Sequence, residues 1–141
     1  MNTQTITLAS ILASIIWADG DYSEVERETI GEVAEAFGIN EKELNMNLTA
    51  ALVEMKNLDE KAATEYAVKH CGKVDPEETG EIFQAVMQLA LCDSVLTAGE
   101  VHNILTLAEA LDIDRESAVL MLCDLVKTEP ELEVSFEDEE L

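Results

Sequence analysis

Apolar residues recur along most of the chain at three- and four-residue steps, which is the spacing of one face of an α-helix. Gly and Pro interrupt this pattern, and Ser, Thr, Asp or Asn stand where a new apolar stretch begins, as they do at helix starts. The pattern predicts seven helices, the fifth opening at Pro76. They cover about residues 5–18, 24–38, 41–55, 59–71, 76–93, 98–111 and 115–127.

The two halves of the chain resemble each other at a constant offset of 74 residues. When residues 8–39 are placed over residues 82–113, apolar positions coincide at helical spacing and three polar positions coincide with them. The polar pairs are Asp19 with Asp93, Ser23 with Thr97, and Glu26 with Glu100. The sequence therefore predicts a single all-α domain of about seven helices, built from two three-helix repeats joined by a connecting helix.

The alignment and a change in composition near the C-terminus set the expected boundaries. A helical domain is predicted over residues 1–128, with repeat one at about 5–56, a connector at 57–73 and repeat two at about 75–127. Residues 129–141 hold seven acidic side chains and no cation, so they are expected to form a flexible acidic tail. Within this tail Leu132, Val134 and Phe136 alternate with acids, so a short docking segment is the alternative.

The net charge of the chain limits the classes of partner that it is expected to bind. The chain has 8 Lys and Arg against 31 Asp and Glu, a net charge of −23. Nucleic acids and anionic lipids are bound through clustered cations, which this chain lacks. The expected partners are therefore metal ions or basic protein surfaces. The apolar run over residues 6–18 is shorter than the about 20 residues that span a bilayer, so no direct membrane insertion is expected.

The cysteines and the absence of catalytic motifs point away from an enzyme. Cys71, Cys92 and Cys123 are an odd set without Cys-x-x-Cys spacing, typical of reduced thiols in a cytoplasmic protein, and we expect them to be buried. His70 and Cys71 are adjacent, so on a helix they point about 100° apart and form no dyad. Gly-rich phosphate loops, Gly-x-Ser-x-Gly and His-Glu-x-x-His are also missing from the sequence.

The repeated acids support two interpretations. Asp19 and Asp93 are predicted in the last turn of a helix, where a carboxylate is disfavoured by about 0.3–1 kcal/mol. They either accept hydrogen bonds from amides of the next helix or bind a cation. Glu26 and Glu100 each lie three residues after a Ser or Thr, as in a capping box. Together these four carboxylates could instead ligate a divalent cation, Ca²⁺ or Mg²⁺ in preference to Zn²⁺, because these ions prefer oxygen donors.

Residues 17–26, Trp-Ala-Asp-Gly-Asp-Tyr-Ser-Glu-Val-Glu, followed by Ile30 and by Phe-Gly-Ile at 37–39, resemble the signature of the tellurite-resistance TerB family. The resemblance covers roughly residues 6–127. The second half departs from the signature, because residues 92–95 read Cys-Asp-Ser-Val in place of Ala-Asp-Gly-Asp.

The resemblance implies a seven-helix domain of bacterial or phage origin, linked to tellurite and chemical stress. It implies a non-enzymatic module within larger, partly membrane-associated assemblies, hence a cytoplasmic protein, peripheral to the inner membrane through its protein partners. It also implies that acidic residues of both repeats bind metal, and these are Asp19, Glu26, Asp93 and Glu100 here. The alternative is a metal-free interaction module that docks on a basic partner surface.

Overall fold

A computed structural model of the chain describes residues 2–20, 22–129 and 131–135, and of Asp19 it describes the backbone. Within this part the chain forms seven helices and one pair of short strands, so the all-α class is confirmed. The helices are α1 Thr5–Asp19, α2 Glu24–Phe37, α3 Glu41–Met55, α4 Glu60–Cys71, α5 Thr79–Ala90, α6 Ala98–Ala110 and α7 Arg115–Thr128. The strands are β1 Val95–Thr97 and β2 Glu133–Ser135.

Local capping explains most helix starts and two of the helix ends. Five helices begin after a residue whose side chain accepts a hydrogen bond from the backbone amide three residues on, which typically stabilises a helix by about 1 kcal/mol. These caps are Ser23, Asn40, Asp59, Thr97 and Asp114. Helices α1 and α2 end at Gly20 and Gly38, whose φ angles of 87° and 68° are left-handed. Glycine adopts this conformation without a Cβ penalty, so both ends are encoded locally.

The fifth helix is shorter than predicted at both ends. Residues 76–78 form a turn and α5 begins at Thr79, so the predicted opening at Pro76 is wrong. The Asp75 carboxylate accepts the amide of Glu77, and the Glu78 carboxylate accepts hydrogen bonds from the N-terminal segment. These contacts hold the turn out of helical geometry. At the other end α5 stops at Ala90, and residues 91–93 form a second turn.

Helix α1 lies at the centre of the core. It packs against α3, α4 and α5, and most of its apolar side chains are buried, although Ile6 is exposed. A helix that is apolar on all sides is stable in water only when other elements surround it, which agrees with the predicted core helix. Phe83 on α5 is also fully buried, while aliphatic side chains and Ala supply most of the remaining core.

Helices α3 and α7, which the 74-residue offset pairs, pack differently. Helix α3 lies against α1 and α2 and buries Leu44, Leu48, Ala51 and Met55. Helix α7 packs mainly against α6 and buries only Ala118 and Leu122. The division into two repeats therefore stays a prediction, because the third helix of each half does not occupy an equivalent environment.

The C-terminal segment contributes a strand that the sequence did not predict. Strand β2 pairs in parallel with β1, with Leu96 opposite Val134. The amide of Glu133 donates to the carbonyl of Ser94 at 2.8 Å, and Leu132 packs against the core. Residues 133–135 of the expected acidic tail are thus strand, while Val134 is 50% exposed, and the docking segment stays a prediction. Phe136 and the acids after it lie outside the described residues.

Candidate functional site

A cleft of about 580 Å³ opens where the ends of α1 and α5 meet α4 and the first turns of α2 and α6. Its apolar wall includes Ile15, Trp17, Leu89 and Leu107. Four carboxylates also line it, on Glu26, Glu60, Asp93 and Glu100. None of the described residues that line the cleft is Lys, Arg or His.

The cleft brings together three of the four predicted metal ligands. Glu26 comes from α2, Asp93 from the turn after α5, and Glu100 from α6, so both halves of the chain contribute. The backbone of Asp19 closes α1, and its side chain lies outside the described part of the structure. Sequence reasoning missed Glu60, because an acidic residue in the first turn of a helix is ordinary and only the packing of α4 turns it to the cleft.

Both predicted capping boxes are confirmed. At the start of α2 the amide of Ser23 donates to Oε1 of Glu26 at 2.8 Å, and the amide of Glu26 donates to Oγ of Ser23 at 3.2 Å. Thr97 and Glu100 repeat this exchange at the start of α6, at 3.1 and 3.2 Å. The Glu26 side chain is only 4% exposed. A carboxylate offers about four lone-pair sites, so a capping role and a ligand role are compatible.

Asp93 lies after α5 and not in its last turn, so the predicted clash with the helix dipole does not arise there. Its Oδ1 atom accepts the amide of Val95 at 3.1 Å, which is the hydrogen bond of an Asx turn. The amide belongs to β1, which leads into α6. Asp93 thus accepts an amide of β1, and not an amide of the next helix as the structural interpretation expected, and its carboxylate lines the cleft.

The donor set has the chemistry of a hard-cation site without a formed coordination shell. Carboxylate oxygens are the ligands that Ca²⁺ and Mg²⁺ prefer. Among the described side chains, however, no group of three or more His, Cys, Asp or Glu lies close enough together to hold one metal ion. Carboxylates that share a cleft repel one another, so a cation would have to draw Glu26, Asp93 and Glu100 together.

The Cys71 thiol does not have the environment of an activated nucleophile. Burial raises the pKa of the Cys71 thiol to about 12, and the neighbouring His70 instead directs Nδ1 to the carbonyl of Tyr66 at 2.9 Å. None of the three cysteines forms a disulfide in the part of the chain that the structure describes. The expectation of burial is right for Cys71 and wrong for Cys123, which is exposed because it lies on the outer face of α7. Cys92 is half-buried and lines the cleft.

One family of known proteins matches most of the chain. The family described as tellurite resistance protein TerB matches residues 4–121, which is most of the chain. Comparisons with curated proteins and with solved structures gave no match. In the part of the chain that the structure describes, no helix combines the length and the apolar character needed to cross a membrane.

Proposed function

Because the chain belongs to the family of the tellurite resistance protein TerB, we propose that it is a non-enzymatic helical module that binds a divalent cation in the cleft. With the cation bound, the module serves as a scaffold within an assembly that responds to tellurite or chemical stress. The family match supports a tellurite-resistance-related helical module, and the cation and the scaffold are what the proposal adds.

The observation that carries the proposal is the convergence of Glu26, Asp93 and Glu100 on one cleft. These residues are far apart in sequence and belong to different elements, so their meeting is a property of the tertiary fold. The protein carries a net charge of −23, and low-dielectric walls strengthen the local field of grouped carboxylates. Bringing a divalent cation into this field relieves the repulsion between the acids, which gives binding a physical driving force.

The ligands determine the expected ion. Glu26, Asp93, Glu100 and Asp19 offer only oxygen, which suits Ca²⁺ and Mg²⁺ better than Zn²⁺. Cys92 also lines the cleft and would be the soft donor if Zn²⁺ bound instead. The bound ion would supply charge neutralisation and would link α2 to α6 through their first turns.

Calorimetric titration of the purified protein with Ca²⁺, Mg²⁺, Mn²⁺ and Zn²⁺ tests the proposal. We expect binding tighter than millimolar, and we expect Asp19→Asn combined with Asp93→Asn to weaken it at least about tenfold, the ratio for a loss of 1.4 kcal/mol. Glu109→Gln combined with Asp124→Asn is the matched control, because both are exposed acids that do not line the cleft and the pair also removes two charges. Absent binding, or binding that both sets of variants leave unchanged, would overturn the metal proposal.

A second candidate is a metal-free module that docks on a basic partner surface. The cleft favours it as well, because four carboxylates lie beside an apolar wall that includes Trp17. The two functions are distinguished by measuring how an oligolysine peptide binds at increasing salt concentrations, with and without a chelator. A metal-free module would bind the peptide equally with and without a chelator and would lose it steeply as salt rises.

A further inference from the structure

The outer face of α7 carries a row of exposed side chains, which we call the α7 stripe. The stripe consists of Glu116, Leu120, Cys123 and Lys127. Steps of four, three and four residues place these side chains on one face of the helix. Leu120 is 69% exposed, whereas Ala118 and Leu122, on the opposite side of α7, are buried. The apolar centre of the stripe is therefore presented to solvent.

The two ends of the α7 stripe carry opposite charges. Glu116 lies in the first turn of α7 and Lys127 in its last turn. Leu120 and Cys123 lie between them, and a free cysteine behaves as a small hydrophobic side chain. In a two-fold pair of antiparallel α7 helices, the register that sets Leu120 of one copy opposite Cys123 of the other also sets Glu116 opposite Lys127 at both ends. The stripe is thus complementary to a second copy of itself.

The residues beside the stripe fit the same arrangement. Val119 is 39% exposed and Val126 is half-buried, and both lie along one flank of the stripe. Asp124 lies on the other flank and is exposed. A two-fold axis perpendicular to both helices keeps each flank on its own side, so the valines of two copies adjoin one another. Pairing would remove Leu120, Cys123 and Val119 of both copies from water, which gives association a driving force.

An exposed apolar face on α3 lacks this complementarity. Met46 and Val53 are 72% and 68% exposed and lie on one face of the helix. Lys42 precedes them and Lys56 follows them on the same side. An antiparallel second copy of this face would set Lys42 against Lys56, and like charges that meet across an interface oppose association. Charge complementarity therefore selects α7, and not α3, for pairing with a second copy.

We propose that the α7 stripe is a self-association surface, on which a second copy of this chain binds with its α7 antiparallel to form a two-fold dimer. A uniformly basic partner would match Glu116 and be repelled by Lys127, whereas a second copy satisfies both. The inference is independent of the proposed function, because every residue of α7 is described and none lines the cleft. One helix from each copy forms a contact smaller than the about 1,200–2,000 Å² of stable interfaces, so the dimer is reversible.

The net charge of the chain gives this association a characteristic salt dependence. Two copies that each carry a charge of −23 repel one another. The Debye length falls from about 30 Å at 0.01 M salt to about 8 Å at 0.15 M, so added salt screens this long-range repulsion more than the short-range contacts across the stripe. We expect the dimer to strengthen as salt rises over this range. Binding to a basic partner would weaken instead.

Sedimentation equilibrium of the full chain in about 0.15 M salt, at protein concentrations up to about 1 mM, tests the proposal. We expect a reversible equilibrium between monomer and dimer. Leu120→Glu should abolish the dimer, because it places a charge at the centre of the stripe. Val53→Glu is the matched control, because Val53 is equally exposed but lies on α3. Circular dichroism of both variants shows whether the helices are retained, as the exposure of both positions predicts.

Charge reversal tests the antiparallel register. Lys127→Glu and Glu116→Lys each set like charges at both ends of the dimer, so each should weaken it at least about fivefold. The double variant sets opposite charges at both ends again and should return the affinity to within about twofold of wild type. Lys69→Glu and Glu43→Lys are the controls, because they reverse equivalent charges in the last turn of α4 and the first turn of α3.

The outcomes separate the surface from the register. A chain that stays monomeric up to about 1 mM would overturn the proposal, and so would a dimer that Leu120→Glu leaves intact. A dimer that the single reversals weaken and the double reversal does not restore would overturn the antiparallel pairing. Recovery in the double variant, with the controls on α3 and α4 unchanged, supports the two-fold dimer through α7.

Discussion

At the scale of single residues, acidic side chains that line the cleft accept hydrogen bonds from backbone amides of their own segments. Glu26 and Glu100 complete capping boxes, and Asp93 accepts the amide of Val95. These bonds fix the carboxylates where they line the cleft. Local stability and any ligand role are therefore coupled, since a substitution that removes the acceptor oxygen also removes a helix cap or a turn contact. Asp93→Asn keeps an Oδ1 acceptor for the amide of Val95 and removes the charge, so it separates the two roles.

The thiols differ in exposure, which predicts a simple pattern of reactivity. With a pKa of about 12, the Cys71 thiol is ionised in only about one molecule in ten thousand at pH 8, and it is buried as well. Cys123 is exposed on α7. We expect a rapid phase with a thiol reagent that Cys123→Ser abolishes and Cys71→Ala leaves intact, while Cys71 reacts only in denaturant. Survival of the rapid phase in Cys123→Ser would contradict this assignment.

At the scale of elements, caps and turns explain where most helices start and stop, and long-range packing explains the exceptions. The start of α5 is displaced to Thr79 because Glu78 is engaged by the N-terminal segment. The helices α3 and α7 stand at equivalent sequence positions, but only α3 lies against α1. At the 74-residue offset, the second half has Ser94 where the first half has Gly20. Strand β2 supports the turn at Ser94, because the amide of Glu133 donates to the Ser94 carbonyl.

Two glycines that differ in conformation give a paired test at this scale. Gly80 is helical in α5, and a Cβ built there meets no atom within 4 Å. Gly80→Ala should therefore stabilise the protein by about 0.5–1 kcal/mol. Gly38 ends α2 with a φ of 68°, so Gly38→Ala should cost about 1 kcal/mol or more. Urea unfolding of both variants measures the change in the free energy of unfolding that each substitution causes. Changes of the same sign would contradict the explanation that Gly38 ends α2 through its left-handed conformation.

At the scale of the whole molecule, hydrogen bonds join parts that are distant in the chain. The carboxylate of Glu78 accepts hydrogen bonds from the amides of Asn2 and Thr3, and the Thr3 hydroxyl accepts the amide of Asp75 at 3.0 Å. The lining of the cleft likewise comes from five helices. The connector helix α4 closes one side of it, so this helix is part of the candidate site as well as a link between halves.

The contact at Glu78 makes stability depend on pH. Hydrogen bonding from the Thr3 hydroxyl, together with the amides of Asn2 and Thr3, lowers the pKa of the Glu78 carboxyl from its ordinary value of 4.5. A lowered pKa in the folded state stabilises the fold above 4.5, and this contribution is lost as the pH falls through the lowered value. Glu78→Gln should cost about 1 kcal/mol at pH 7, a typical value for a hydrogen bond.

Urea unfolding at pH 7 and at steps below pH 4.5 checks the effect. The stability difference between wild type and Glu78→Gln should shrink as the pH falls. Glu77→Gln is the control, because Glu77 is the exposed neighbour and its substitution removes the same charge. A difference that stays constant with pH, or that Glu77→Gln reproduces, would rule out the contact with the N-terminal segment as the cause.

The sequence by itself determined the all-α class, the helix ends with local caps and the two capping boxes. These features depend on hydrogen bonds between residues three or four apart and on the period of the apolar positions, so they are encoded within each segment. It also located Glu26, Asp93 and Glu100, because the 74-residue offset repeats them.

Only the tertiary structure decided that these three acids share a cleft with Glu60, that α7 packs unlike α3, and that residues 133–135 form a strand. Each of these features depends on contacts between segments many residues apart. Their free energy comes from packing and from strand pairing across the molecule, and no local pattern of apolar and polar residues specifies which distant surface a segment will meet.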